Sequence, residues 1–368
     1  MLDKSDPVMT TPEPKAGIWD IAAYIGGKSH IAGISEPIKL SSNENALGCS
    51  PQAMSAYVDA QSRLFRYPDP MAAPLRAAVA THYDLEPERL LFGNGSDEVF
   101  TFLNQTYLEV GDNVVTGEHG FLAYRISALA CQADLRLVAE PERRIDINAL
   151  LSQCDERTKF VYISNPANPT GTWNTLDEIA ELRARLASHT LLVIDEAYAE
   201  YVTQSSWQSA MDMARGTDNM VVTRTFSKIY GLAGLRIGFG YCPAKVIEAV
   251  ERIRLPFNTS IPAQMAAVAA LKDQDHVAAS KAQVSQWKPR LIQAIRGMGY
   301  RVDDGAGNFI LIDFATQSIC EAANEHLMHK GLIVRHVANY GLASCLRVTI
   351  GKDHEMQAFL EALAQFKA

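Results

Sequence analysis

The sequence predicts an α/β fold, with a large α/β/α layer domain on a mostly parallel sheet and a smaller α+β domain after it. Three observations carry this. Between about residues 75 and 255, short apolar runs alternate with helix-period segments. The runs are apolar almost without interruption, as strands buried on both faces must be. Beyond residue 260 the pattern changes to a long Ala-, Gln- and Lys-rich stretch and then a compact strand-rich unit. At 368 residues the chain exceeds one ordinary core, so two unequal domains are expected.

The elements follow in order. "MLDKSDPVMTTPEPKAG" is acidic and proline-rich, with no basic or apolar leader region, so residues 1–16 read as a mobile tail on a cytoplasmic protein. Residues 17–45 are assigned to a segment associated with the small domain, 46–260 to the large domain and 261–368 to the small one. "RLLFGNG", "DNVVTG", "KFVYISN", "LLVIDEA", "NMVVTRTFS" and "RIGFGYC" are the expected strands of the large sheet. "DEVFTFLNQTYLEV" and "LDEIAELRARLASH" carry apolar residues three or four apart and are expected helices. The long stretch from Ile261 to Met298 reads as helical and as bridging the two domains. "NFILIDF" and "CLRVTIG" are strands of the second unit, and "DHEMQAFLEALAQFKA" is its closing helix.

Composition narrows the function. A net charge of −8, from 34 basic and 42 acidic residues, opposes non-specific nucleic-acid binding. No apolar run approaches membrane-spanning length. The cysteines (Cys49, Cys131, Cys154, Cys242, Cys320, Cys345) form no CxxC pair and read as buried thiols in a reducing compartment. His326 and His329 lie three apart on a helix without a third ligand at a usable spacing, so no metal site is expected. The charge run "EPERR" reads as a solvated loop.

Four motifs, "GNGSDE", "NPANPTG", "DEAY" and "SK", each stand just after a strand-like run, and ligands of open α/β sheets bind at that edge. "GNGSDE" joins a strand to an amphipathic helix, so its amides suit a phosphate; Glu98 stands where a dinucleotide fingerprint has its third glycine. Ser227, Thr225 and Arg236 are placed to meet the remaining phosphate oxygens. Lys228, between a dry strand and a run of glycines, reads as an amine able to attack a carbonyl, or as a structural lysine whose ammonium reaches water. Asp195 ends its strand either as a cap or as the carboxylate that keeps a ring nitrogen protonated. Tyr198 and Asn168 then suit a phenolate-like oxygen on the same ring.

Together these residues resemble the fold-type I, pyridoxal-phosphate-dependent aminotransferases, and within them the histidinol-phosphate aminotransferase branch. The likeness runs from "AAYIGGKS" and "KLSSNENALG" through "RYPDP" to "GLIVRHVANYGLASCLRVTIG". It implies that Lys228 carries pyridoxal 5'-phosphate and moves the substrate proton, that Asp195 pairs the pyridine nitrogen, and that Asn168 and Tyr198 hold the ring oxygen. It implies a phosphate site made by the Ser96 and Asp97 amides, Thr225, Ser227 and Arg236. Phe121 falls where the family stacks an aromatic on the ring, or His119 if the alignment slips by two. Tyr67 is implied to reach the cofactor phosphate of a second subunit, making a homodimer with composite sites. Arg347 resembles the clamp for the amino-acid carboxylate. Arg335 with Tyr24 would receive a substrate phosphate, and Asn43 belongs with these substrate-binding residues. Two departures, "GGKS" and Ala167 in "NPANP", touch loop shape rather than reacting groups.

The expected activity is reversible transamination between histidinol phosphate and 2-oxoglutarate, in histidine biosynthesis. The alternatives are an aromatic amino-acid aminotransferase on the same scaffold, a nicotinamide dehydrogenase, which leaves Lys228 unexplained, and a non-catalytic binding module.

Overall fold

In the computed structural model, residues 12–23 and 26–367 are described. A two-residue strand β1 (Ile38–Lys39) precedes the first sheet. That sheet holds seven strands: β2 (Leu90–Gly93), β3 (Asn113–Gly117), β4 (Asp134–Val138), β5 (Thr158–Ser164), β6 (Leu191–Asp195), β7 (Met220–Thr225) and β8 (Gly238–Tyr241). Their spatial order is β2-β8-β7-β6-β5-β3-β4. Only β8 runs against its neighbours, so the six expected strands form with the expected mostly parallel pairing. β2, β3, β6, β7 and β8 are buried along their whole length, which is why their sequences carry no polar alternation.

β4 was absent from the expected strands. It is an edge strand with Asp134 and Arg136 facing water, and its mixed pattern has no dry run to find. The helices Ser96–Tyr107 and Leu176–Arg185 occupy the two amphipathic segments; the second starts with a capping box between Thr175 and Glu178.

The second sheet has four antiparallel strands, in the order β12 (Arg335–His336), β13 (Cys345–Thr349), β10 (Phe309–Asp313) and β9 (Arg301–Val302). β1 pairs in parallel with β11 (Leu332–Ile333), and the Thr349 amide donates to the Leu40 carbonyl. Chain near residue 40 is thus tied both to β11 and to the end of β13. The closing helix is Asp353–Ala364.

One expectation is refined and one is corrected. The stretch from 261 to 298 is two helices, Ile261–Lys272 and Gln274–Gly297, broken at Asp273, whose side chain caps the second through the His276 amide. "EPERR" is solvated only at Pro141 and Glu142. Glu140 is buried, and Arg143 pairs with Asp303 and Asp313 of the second sheet's region. Charge density misled there, because Glu140 is buried against the His119 amide and Arg143 is paired across the two sheets' regions. Of the cysteines, Cys242, Cys320 and Cys345 are buried and the other three half-buried.

Candidate active site

The C-terminal ends of β2, β5, β6 and β7 converge on one cleft of about 220 Å³. Ser96, Asp97, Asn168, Asp195, Tyr198, Thr225, Ser227, Lys228 and Arg236 all line it, from four separate motifs. Phe121 lines it as well, while His119 does not. The His119 ring donates from Nδ1 to the Tyr340 carbonyl at 2.7 Å, and burial lowers its pKa.

The floor is acidic. Asp195 is 4% exposed and accepts from the Tyr124 hydroxyl at 2.7 Å and from Thr223 Oγ1 at 3.0 Å. Burial pushes its carboxyl up to about 6, against the pull of these two hydroxyls. It caps no helix. Lys228 Nζ lies 3.5 Å from the Ser42 carbonyl and 5.6 Å from the centre of the Tyr198 ring, so the amine stays inside the cleft.

One wall is an anion cradle. Gly95 (φ +78°) leads into the helix Ser96–Tyr107, and a Cβ there would lie 2.5 Å from Arg236 Nη2. Only glycine lets the guanidinium come so near the helix N-terminus. Arg236 donates to Ser227 Oγ at 3.3 Å and pairs with Asp97 at 3.2 Å. The Ser227 amide donates to Thr225 Oγ1 at 3.1 Å.

A second chamber of about 180 Å³ shares Phe121, Asn168, Tyr198 and Lys228 with the first and adds Asn43, Arg335 and Arg347. Asn43 Nδ2 donates to the Tyr198 hydroxyl at 2.9 Å. Arg347 donates to Asn168 Oδ1 and, at 2.8 Å, to the Ser41 carbonyl. Arg335 and Arg347 are register partners on β12 and β13, so both guanidinium stems leave the sheet on one face.

Tyr67 lies away from this cleft. It is 81% exposed, stacked on Phe257, and lines a separate open groove of about 860 Å³, which holds none of the lysine-cleft residues. Tyr24 lies outside the described residues. Sequence reading missed Tyr124, Thr223 and Tyr340. Tyr124 follows Phe121 by three residues, a helical spacing that was the available signal.

The parts fit one kind of group: a phosphate for the cradle, a carbonyl for the amine and a protonated ring for the buried carboxylate. Fold and site define a pyridoxal-phosphate-dependent enzyme of fold type I. More particularly, the chain belongs to the aminotransferase class I and II family, whose model matches residues 35–363. It is 53% identical to histidinol-phosphate aminotransferase 1 of Caulobacter vibrioides, over 96% of this chain and 99% of that one. It is 47% identical to a histidinol-phosphate aminotransferase of Cereibacter sphaeroides, over 96% and 98%. The crystal structure of histidinol-phosphate aminotransferase from Sinorhizobium meliloti in complex with pyridoxal-5'-phosphate superposes with a TM-score of 0.90, at 26% identity over 97% of this chain and 98% of that one.

Proposed function

We propose that the enzyme moves an amino group between histidinol phosphate and 2-oxoglutarate, by two half-reactions in one site, as a step of histidine biosynthesis. The carrying observation is the pair Arg335 and Arg347 on facing β-strand positions beside Lys228. Both line the chamber that also holds Lys228, and a guanidinium fork matches the geometry of carboxylate and phosphate. Both proposed amino donors are anionic, one through a phosphate and the other through carboxylates.

When bound, the cofactor supplies an electron sink for the pair released as the substrate's Cα–H bond breaks. Lys228 would hold it through its carbonyl carbon, and the lysine amine, once released, would take the proton from the substrate's Cα. Asp195 keeps the ring nitrogen protonated. Asn168 and Tyr198 hold the ring oxygen, and Phe121 packs on the ring face. The amides of Ser96 and Asp97 hold the phosphate together with Thr225, Ser227 and Arg236. Arg347 clamps the carboxylate of glutamate in a fork that lysine cannot reproduce, and Arg335 receives the phosphate of histidinol phosphate. Asn43 orders the chamber through Tyr198.

The assembly proposed is a homodimer in which Tyr67 serves the partner's cofactor phosphate. Its support is the exposure of Leu64, Phe65, Tyr67, Leu255 and Phe257, with Tyr67 stacked on Phe257. We divide the chain into a large cofactor domain, 46–260, and a small domain, 261–368, with 17–45 associated with the small domain. A cytoplasmic location agrees with six free thiols. Among the described residues, no helix is long and apolar enough to cross a membrane.

The test is kcat/KM for histidinol phosphate, glutamate and phenylalanine in two variants. Arg335→Leu should cost histidinol phosphate about tenfold to a few hundredfold and phenylalanine little, since a charge-assisted bond to a dianion is lost. Arg347→Leu should impair glutamate and phenylalanine alike. Equal losses on all three substrates in Arg335→Leu would remove the phosphate role and favour an aromatic amino-acid aminotransferase.

A further inference from the structure

The segment "GAGN", residues 305–308, enters β10 and stands behind the cleft without lining it. On one side it meets the loop that carries Asn168. A Cβ on Gly305 would fall 2.7 Å from the Gly171 Cα, so two bare backbones touch there. The Ala306 amide donates to the Gly171 carbonyl at 2.7 Å, and the Gly171 amide to the Ala167 carbonyl at 2.8 Å, closing the loop around Asn168.

On its other side, Asn308 Nδ2 donates to the carbonyls of Asn43 and Glu44, each at 3.1 Å. Asn43 in turn donates to the Tyr198 hydroxyl at 2.9 Å. One short segment thus backs both groups that face the ring oxygen in the reading above.

Gly305, Ala306 and Gly307 offer no side chain larger than a methyl, so the segment has little packing of its own. What grips it is Lys288, on the helix Gln274–Gly297, whose Nζ donates to Gly305 O at 2.7 Å and Gly307 O at 2.5 Å. Burial lowers this ammonium to about 8, with Asp304 opposing. A methionine would fill the same volume without that desolvation cost. The ammonium adds two directed hydrogen bonds, both aimed at the segment.

We infer that Lys288 is a positioning residue: by fixing the 305–308 segment it sets Asn168 and Tyr198 against the cofactor's ring oxygen and so tunes the charge there. The inference rests on the ring-oxygen reading of those two residues. Donors to that oxygen compete with the proton on the neighbouring lysine-bound nitrogen, so loosening them lets that proton bind more tightly.

The readout is the pH midpoint of the visible absorbance of the cofactor-loaded protein, with thermal unfolding recorded alongside. Tyr198→Phe and Lys288→Met should each raise the midpoint, the latter by about half a pH unit. Lys288→Arg, which keeps donors at that place, should restore it towards wild type. Gly305→Ala forces the segment off Gly171 without touching Lys288 and should also raise the midpoint; it serves as the test should Lys288→Met not fold. A moved midpoint in Tyr198→Phe with an unmoved one in Lys288→Met, or in Gly305→Ala if that variant stands in, overturns the inference alone, whatever happens to thermal stability. An unmoved midpoint in Tyr198→Phe overturns the ring-oxygen reading and the inference with it.

Discussion

Asp195 and Glu196 are neighbours at the end of β6, both carboxylates and both almost wholly buried, at 4% and 0% exposure. Strand alternation sends them to opposite sides of the sheet. Glu196 enters a charge network: Arg224 lies 2.7 Å from it and also 2.7 Å from Glu200, while Ser209 Oγ donates at 2.7 Å. The hydrogen bonds of Asp195 come from the hydroxyls of Tyr124 and Thr223 and from a backbone amide, all neutral. Burial raises both carboxyls, and Arg224 works against that rise at Glu196. At Asp195 neutral donors leave it near 6. Equal burial therefore produces a structural acid on one side and, on the other, an acid whose charge suits a cation brought by a ligand.

The strongest way to break this contrast is to neutralise each acid in turn. Asp195→Asn should lower kcat by about a thousandfold, about 4 kcal/mol of barrier, because an amide cannot hold the ring nitrogen protonated. Its urea midpoint at neutral pH should stay level or rise. Glu196→Gln should do the reverse, losing about 3 kcal/mol of stability by opening a buried pair, with kcat of the folded enzyme within a few fold of wild type. If Asp195→Asn turned over normally and unfolded early, the two acids would be alike.

A smaller effect comes from pH acting on the cofactor-free protein. With Asp195 near 6 when folded, against an ordinary 3.8, the folded state keeps this proton longer than the unfolded chain. The stabilising contribution is complete below about 3.8 and is lost as pH rises through 6, a total of about 3 kcal/mol. Urea unfolding of the cofactor-free protein should therefore weaken between pH 4 and 7 more in wild type than in Asp195→Asn. Glu140, also raised by burial to about 7, adds a slope of the same sign to both proteins, so their difference isolates Asp195. Equal slopes would show that Asp195 ionises normally when buried.

The contrast also separates what sequence could reveal from what it could not. Asp195 and Lys228 were legible because each ends a dry run, where strand chemistry and ligand edge coincide. Arg236 was legible from its distance to Lys228 and the glycines around it. Nothing local announces that Tyr124, 71 residues before Asp195, donates to it, since that bond depends on how the helix Leu122–Ala130 sits against β6. Asn43 was found only through family resemblance, and its bond to Tyr198 spans 155 residues. "EPERR" was misread because its charges were taken as exposed, and tertiary pairing of Arg143 decided otherwise.

The smallest and most selective test removes a single hydroxyl. Tyr124 stacks on Tyr162 at 4.8 Å and meets Phe100 edge-on at 4.8 Å, so Tyr124→Phe keeps the packing that the ring supplies. It loses the hydrogen bond that helps keep Asp195 ionised, an interaction of about 1.5–3 kcal/mol when its acceptor is charged. The Asp195 carboxyl should then ionise at higher pH. We expect kcat to fall about tenfold on the acid side and to recover as pH rises, moving the acid limb of the rate profile upward. Ser209→Ala removes the matching hydroxyl from Glu196 and should leave that limb in place, because Glu196 does not face the cleft. An acid limb unmoved in Tyr124→Phe would return Tyr124 to a packing role, with Thr223 and the backbone left to orient Asp195.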